Sequence, residues 1–415
     1  MVVLSVGRRL SKDALNVNCK EKLMSCRWMM LALLAILAPS YYLGSAQAAG
    51  KVTQETAPVP LVAAPKGDPV VGADGSAVFS LDLPNAKDVK LTLEGGAAPM
   101  PMVKDDAGRW TVTVPHLDPE YYSYNFVVDG VSFTDPHNTM VKTSAFSVQS
   151  VFLVPGGKPW EIADVPHGEV HHHLYHSAIV QADSEYYVYT PPGFDAGSKK
   201  TYPVLYLLHG YSDDASAWTS MARANLILDN LMAAGKAKPM IVVMPLGYGN
   251  MEMITRGWAA WRDPGLPRDN FQKFGEALFR EVMPRVQKEY PLSSKREEHA
   301  IAGLSMGGAE SLLVGLGHTE EFAYVGGFSA GGIGSGPFDA EFPAITPATG
   351  AAVNGKLKLL WISCGTDDGL YGPNQKLVAW LKERNVTPKV TYTPGRHVWM
   401  VWRDNLSNFV PLLFQ

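Results

Sequence analysis

His299-Ala300-Ile301-Ala302-Gly303-Leu304-Ser305-Met306-Gly307-Gly308 is the stretch on which the reading of this chain turns. Its first half is a short apolar run of strand length, and Gly308 to Gly317 continues with helical spacing. A serine in the pattern G-x-S-x-G between a buried strand and a helix sits on a tight turn that exposes its hydroxyl. The neighbours must be small, and Gly303, Gly307 and Gly308 supply that. The bare pattern also arises as a glycine-rich structural turn; its placement between strand and helix makes Ser305 the expected nucleophile.

Working outward, buried strand runs are read at Tyr202 to Leu208, Met240 to Met244, Tyr324 to Phe328 and Leu357 to Ser363. Ala222 to Ala234, Phe271 to Tyr290 and Asn374 to Arg384 have helical spacing. Such alternation over about 250 residues predicts an α/β domain over 166–415, a mostly parallel sheet covered by helices on both faces. Ahead of it, alternating runs at Val78 to Leu83, Val89 to Leu93, Arg109 to Val114 and Tyr122 to Val128 predict a small immunoglobulin-like β-sandwich over 70–155. A linker is read over 156–165, with Gly156, Gly157 and Pro159 between Pro155 and Pro166. Residues 49–69 read as a flexible lead-in and 1–48 as a signal peptide. Lys20, Lys22 and Arg27 precede an apolar run too short to span a bilayer, and Ala46-Gln47-Ala48 offers a cleavage site. The expected location is therefore secreted or periplasmic, with Met24 a second candidate start.

The formal net charge of -4 and the lack of a basic, aromatic-interleaved run point away from nucleic acid and from a membrane once the signal is removed. Cys19 and Cys26 fall in the signal segment, so Cys364 stands alone afterwards and no intrachain disulfide is expected.

A serine hydroxyl is a weak nucleophile until a base takes its proton and an acid orients the base. In a serine hydrolase of α/β-hydrolase type the order along the chain is Ser, Asp, His. Downstream of Ser305, Asp367 and Asp368 lie in a loop after the strand run ending at Ser363, and one of them should be the acid. His397 follows the run Lys389 to Thr393 and is the only histidine after His318, which makes it the base by position and by elimination. The oxyanion hole should use the backbone N–H of Met306 and that of Tyr211, the latter in the loop after Leu207-Leu208-His209-Gly210. His209 reads as a loop brace. Trp218, Tyr248, Trp258 and Trp261 lie in loops after strands, where they either stack on an aromatic or sugar substrate or simply pack. His167, His171, His172, His173 and His176 invite a metal reading, but strand alternation splits the consecutive ones between faces, so no metal is expected. The triad and oxyanion hole suffice for ester hydrolysis, and no cofactor is implied.

With these residues in place, 165–415 resembles the first carbohydrate esterase family, which holds feruloyl esterases, acetylxylan esterases and relatives of the esterase D type. The matching pieces are His167-Gly168, Val188-Tyr189-Thr190-Pro191-Pro192-Gly193-Phe194, Leu207-Leu208-His209-Gly210, Gly303 to Gly308, Cys364-Gly365-Thr366-Asp367-Asp368, and His397 with Trp399. The family's acid ends a Cys-Gly-x-x-Asp pattern, which the resemblance carries onto Asp368. The front domain is similar to the glycan-binding sandwich of carbohydrate-binding module family forty-eight, seen in Tyr122 to Gly130 and Asp135-Pro136-His137-Asn138. Trp110 or Tyr122 would there be a sugar platform or a core aromatic. Together these imply a feruloyl esterase acting in xylan degradation, with plant cell-wall polysaccharide or a feruloylated oligosaccharide as substrate. The alternatives are an acetylxylan esterase, told apart by preference for short acyl chains, an acyltransferase, told apart by transfer to an added sugar, and a non-catalytic glycan-binding protein, told apart by inertness to a serine-directed phosphonate.

Overall fold

The computed structural model describes residues 69–415, except 97 and 334–336. The expected signal peptide and all of the lead-in but Pro69 lie outside the described residues, as do Cys19 and Cys26.

An eight-stranded sheet carries the larger body, in the spatial order Glu169–Ser177, Ala182–Thr190, Ile241–Pro245, Val204–Leu208, His299–Leu304, Tyr324–Phe328, Leu359–Gly365 and Lys389–Thr393. The first two form an antiparallel hairpin that joins Ile241–Pro245 antiparallel, and the remaining pairs are parallel. Side chains alternate across the sheet. Val204, Tyr206, Leu208 and Ile301 enter one core with Phe274, Leu312, Leu377 and Leu381, while Leu205, Leu207, Ala300 and Ala302 enter the other with Ile227, Leu231, Leu406 and Phe409. Helices therefore cover both faces, which is why the parallel strands read as unbroken apolar runs. The register aligns the strand ends: Leu208 pairs with Gly303, Gly303 with Gly327, Phe328 with Ser363, and Gly365 with Thr393. The loops beginning at His209, Ser305, Ser329, Thr366 and Pro394 consequently open on one edge of the sheet.

The front region builds two antiparallel sheets. One contains Val70–Val71, Ala77–Asp82, Arg109–Val114 and Val103–Lys104; the other contains Met100–Pro101, Val89–Leu93, Glu120–Val128, Val148–Val154, Val141–Thr143 and Val131–Phe133. Inward residues of both sheets, among them Phe79, Leu91, Trp110, Tyr124, Phe126 and Phe152, share one core. Phe79 meets Tyr124 and Phe152 edge to face, with centroids 5.0 and 5.3 Å apart.

This β-body and the α/β body are parts of one compact unit. Tyr121 and Val151, on the outer side of the β-body, belong to the core of the α/β body, and Met400 packs against the core of the β-body. Glu120 and Arg403 form a buried ion pair across the junction. The segment 156–165 is packed down rather than free: Trp160 is buried, and the Asn230 amide donates to the carbonyls of Pro159 and Glu161 at 2.7 and 2.8 Å.

Three local departures from expectation have physical causes. The helix expected over 271–290 is Gly265–Ala277 and Met283–Glu289 joined by a π turn at Leu278–Val282. Pro284 has no N–H to give the preceding turn and its ring crowds it, which favours the wider turn there. The hairpin Glu169–Ser177 and Ala182–Thr190 gives only a weak hydrophobic alternation because it lies at the sheet edge and carries histidines and tyrosines. The helix Trp399–Phe409, directly after His397, mixes buried Trp402, Arg403 and Asn405, so its period is masked by polar core residues.

Candidate active site

Ser305 is the first residue of helix Ser305–Gly317, immediately after strand His299–Leu304, and its φ is +51°. Side chains at the flanking glycines would collide with backbone. A Cβ on Gly303 would lie 2.4 Å from the Gly307 carbonyl oxygen, and one on Gly307 would lie 2.4 Å from that of His209. The turn lifts Ser305 into a half-buried position open to solvent. His397 Nε2 lies 2.9 Å from Ser305 Oγ, and His397 Nδ1 lies 2.8 Å from Asp368 Oδ2. The imidazole edge also meets Trp402, 4.8 Å between centroids, which limits ring rotation.

Of the two carboxylates the sequence left open, Asp368 is the one brought to His397. It is buried, and its second oxygen accepts the Leu370 N–H at 2.8 Å. Asp367 is exposed and accepts from the Gly395 N–H. Burial pushes the Asp368 carboxyl up, yet the hydrogen bond and charge of His397, with donors from Leu370 and Ser329, outweigh it and hold the group below its ordinary 3.8. Asp368 therefore stays ionised at neutral pH, as an acceptor that orients His397. Cys364 is buried nearby, and burial followed by the charge of Asp368 pushes its thiol up to about 12, so it carries no nucleophilic thiolate.

Met306 is the second residue of its helix, where a backbone N–H has no intrahelical acceptor. Tyr211 packs in the same small apolar cluster as Met306. A Cβ on the preceding Gly210 would sit 3.3 Å from Ser305 Cβ, so this loop runs against the nucleophile. Its shape is held by a network. His209 is fully buried, with Nδ1 2.8 Å from the Gly210 carbonyl and Nε2 accepting the Gly247 N–H at 2.9 Å, the bracing position its sequence context suggested. Burial keeps it below its ordinary pKa, hence neutral.

The four aromatic candidates separate. Trp218 is a correction: it is completely buried, its indole N–H donates to the Leu208 carbonyl at 2.9 Å, and it packs edge to face on Trp399, so it reaches no substrate. Tyr248 is corrected likewise. It is 2% exposed, and its hydroxyl accepts from the Ser212 N–H and donates to the Asp213 carbonyl, which makes it a support of the loop beside Ser305. Trp258 is 68% exposed, and Tyr211 meets both Trp258 and Trp261 in T-shaped contacts. Trp261 lines a cleft of about 810 Å³ with Phe271, Gly332, Ile333, Arg268 and Gln272. None of Ser305, Asp368 and His397 lines this cleft; its nearest approach along the chain is Gly332, which packs on Phe271 and Trp261 and follows Gly331, where a Cβ would lie 3.5 Å from Ser305 Oγ. Phe271 and Ile333 were not singled out in the sequence, because an apolar residue gives the same signal whether it faces a core or a cleft.

His171, His172, His173 and His176 lie on the edge hairpin, while His167, just ahead of it, meets Asp229 at 2.9 Å. His172 stacks on Tyr187 and His173 on Tyr186, at 4.3 and 4.7 Å between centroids, and His172, His173 and His176 meet Glu185, Glu289 and Asp183. Among the described residues no group of His, Cys, Asp and Glu is arranged to hold a metal ion. Trp110 and Tyr122 are buried in the β-body and hydrogen-bond to Leu83 and Asp118, so neither offers a platform to solvent. No described helix is long and apolar enough to cross a membrane.

A mostly parallel sheet with a serine on a strand-to-helix turn at its carboxyl edge defines an α/β-hydrolase. The esterase family model matches residues 177–413, more than half of the chain. The chain belongs to that esterase family. It is 29% identical over 358 residues to an endo-1,4-beta-xylanase/feruloyl esterase of Xylanibacter ruminicola, covering 84% of this chain and 46% of that protein. It thus spans about half the length of that relative. It is 23% identical over 232 residues to an acetyl esterase of Caldicellulosiruptor saccharolyticus, covering 49% of this chain and 80% of the relative. Among solved structures, a ferulic acid esterase of carbohydrate esterase family one from Anaeromyces mucronatus superposes with a TM-score of 0.52 at 24% identity, over 61% of this chain and 93% of that one. An enterochelin esterase from Shigella flexneri superposes with a TM-score of 0.61 at 17% identity, over 82% of this chain and 92% of that one. These two likenesses concern the fold.

Proposed function

We propose that the protein is a secreted or periplasmic feruloyl esterase that releases ferulate from feruloylated xylan or its oligosaccharides through an acyl-enzyme on Ser305. In this reading Ser305 Oγ attacks the ester carbonyl carbon while His397 Nε2 takes its proton, and the N–H groups of Met306 and Tyr211 receive the developing oxyanion. As the bond to the sugar oxygen breaks, His397 returns the proton to that oxygen and the alcohol leaves. Water, deprotonated by His397, then attacks the acyl carbon and ferulate departs with Ser305 restored. Asp368 orients His397 throughout and stabilises the imidazolium.

The observation that supports the acyl preference is the cleft walled by Trp261, Phe271, Gly332 and Ile333, whose Gly332 follows Gly331, the residue packed against Ser305. A planar aromatic acyl group fits between such walls, whereas an acetyl group leaves them uncovered. The Xylanibacter ruminicola relative, which is named for xylanase and feruloyl esterase activity, supports the same choice. The test is initial rates of residues 49–415, beside Ser305→Ala, on methyl ferulate and a matched acetyl ester. The expected outcome is a preference for ferulate well above about tenfold, with Ser305→Ala reduced by at least about 10³-fold on both. Preference for the acetyl ester would replace the acyl assignment with acetyl; full activity of Ser305→Ala would remove the mechanism.

A further inference from the structure

The loop that presents Tyr211 to the nucleophile is held from outside the α/β body. Ser212 has φ of +76°, a conformation that costs a non-glycine residue energy and persists only where its neighbours enforce it. Here its N–H donates to the Tyr248 hydroxyl at 2.9 Å, and its carbonyl accepts the N–H of Ala145, from the β-body, at 2.8 Å. One residue further on, Asp213 is buried and its carboxylate meets the ammonium of Lys142, on the β-body strand Val141–Thr143, at 3.0 Å. Lys142 is itself buried, and its Nζ stands 5.4 Å from the centre of the Trp399 ring. Trp399 begins the helix that follows His397, and its N–H donates to Glu94 of the β-body at 3.0 Å. Two loops that converge on Ser305 are thus tied to one wall of the β-body.

We propose that Lys142 is a positioning residue of the esterase: with the Ala145 N–H it holds the Tyr211–Asp213 turn so that the Tyr211 N–H faces the oxyanion. The β-body is then a working part of the catalytic centre and contributes to turnover of substrates too small to touch it. This rests on the Ser305 acyl-enzyme reading. A buried ion pair that has lost one member leaves an uncompensated charge, so an unpaired Asp213 turns toward water and takes its turn with it. A misplaced donor weakens binding of the transition state more than that of the substrate, and the loss falls on kcat.

The experiment measures kcat and KM of the full chain on 4-nitrophenyl acetate for the wild type, Ser305→Ala, Lys142→Met, Lys142→Arg and Asp213→Asn, each checked for a cooperative thermal transition. Lys142→Met is expected to lose about 10²-fold in kcat with KM within about twofold, and Lys142→Arg, which keeps the charge, to recover most of it. Should Lys142→Met fail to fold, Asp213→Asn, which retains an acceptor for the lysine, is expected to lose about tenfold in kcat. A folded Lys142→Met or Asp213→Asn with wild-type kcat would overturn the proposal, as would a loss confined to KM or one that Lys142→Arg leaves unrepaired. The underlying reading fails separately, if the wild type is no faster than Ser305→Ala.

Discussion

Ser305 and Glu310 lie on one helix and show how differently a polar residue is sustained at close range. The left-handed conformation of Ser305 costs on the order of 1–3 kcal/mol and is enforced by the strand before it, the helix after it and the bare glycines at 303 and 307. Glu310 is 1% exposed and receives one hydrogen bond, from the Asn270 amide at 3.3 Å, while its second oxygen has no hydrogen-bond partner. Burial pushes its carboxyl well above the ordinary 4.5, which favours the neutral acid in the folded protein. A raised folded value means that the native state holds a proton which the unfolded state has released. Its contribution to stability is therefore complete below about pH 4.5 and declines as pH rises towards the folded value. Glu310→Gln, isosteric and permanently neutral, is expected to keep esterase activity and to flatten the fall of Tm between about pH 5 and 8 relative to the wild type. Parallel Tm curves would show that Glu310 is ionised in the native protein.

The helix Trp399–Phe409 works at a larger scale, since it follows the His397 loop and carries Arg403 into the junction with the β-body. Arg403 is completely buried, pairs with Glu120, and donates from Nε to the Met221 carbonyl at 3.1 Å. Burial pushes Glu120 up to about 7 although Arg403 opposes it, so the acid depends on its partner to remain ionised near neutrality. Arg403→Met leaves Glu120 buried without that partner and is expected to cost about 3–5 kcal/mol at pH 7, read from denaturant midpoints. Arg403→Met with Glu120→Gln should recover a large part of the loss, because no charge then remains to be buried. A double variant no more stable than the single one would show that packing by the guanidinium, not charge, holds the helix.

For the whole molecule, the arrangement of two bodies in one unit changes what the β-body is for. Its buried Trp110 and Tyr122 offer no sugar platform, while Glu94, Glu120, Lys142 and Ala145 all bond to the α/β body near the catalytic loops. A chain of residues 156–415 is expected to lose its activity on a small soluble ester and its cooperative unfolding, because Arg403, Asp213 and the Ser212 carbonyl lose partners together. Activity of that fragment within about tenfold of the full chain would identify the β-body as an appendage.

How much of this was legible follows from how far each feature reaches along the chain. The alternation of apolar strands with helices, the serine turn and the order Ser305, a loop with Asp367 and Asp368, His397 are local patterns at the ends of strands, and residue order alone displayed them. The choice of Asp368 over Asp367 needed either the family pattern or the fold, since adjacent carboxylates in a loop differ only in where the backbone aims them. Trp218, Tyr248 and Trp258 share an aromatic, post-strand signature, and only packing separated a buried brace, a loop support and an exposed ring. The cleft of Trp261 and Phe271 and the grip of Lys142 on Asp213 are contacts between segments distant in sequence. Periodicity reports which face of an element is apolar but not what that face will meet, so the sequence by itself pointed to the class of chemistry, Ser305 and His397, and left the acid between Asp367 and Asp368. The cleft of Trp261 and Phe271 and the contacts of the β-body with the loops around Ser305 were decided by the tertiary structure, where long-range packing selects the partners.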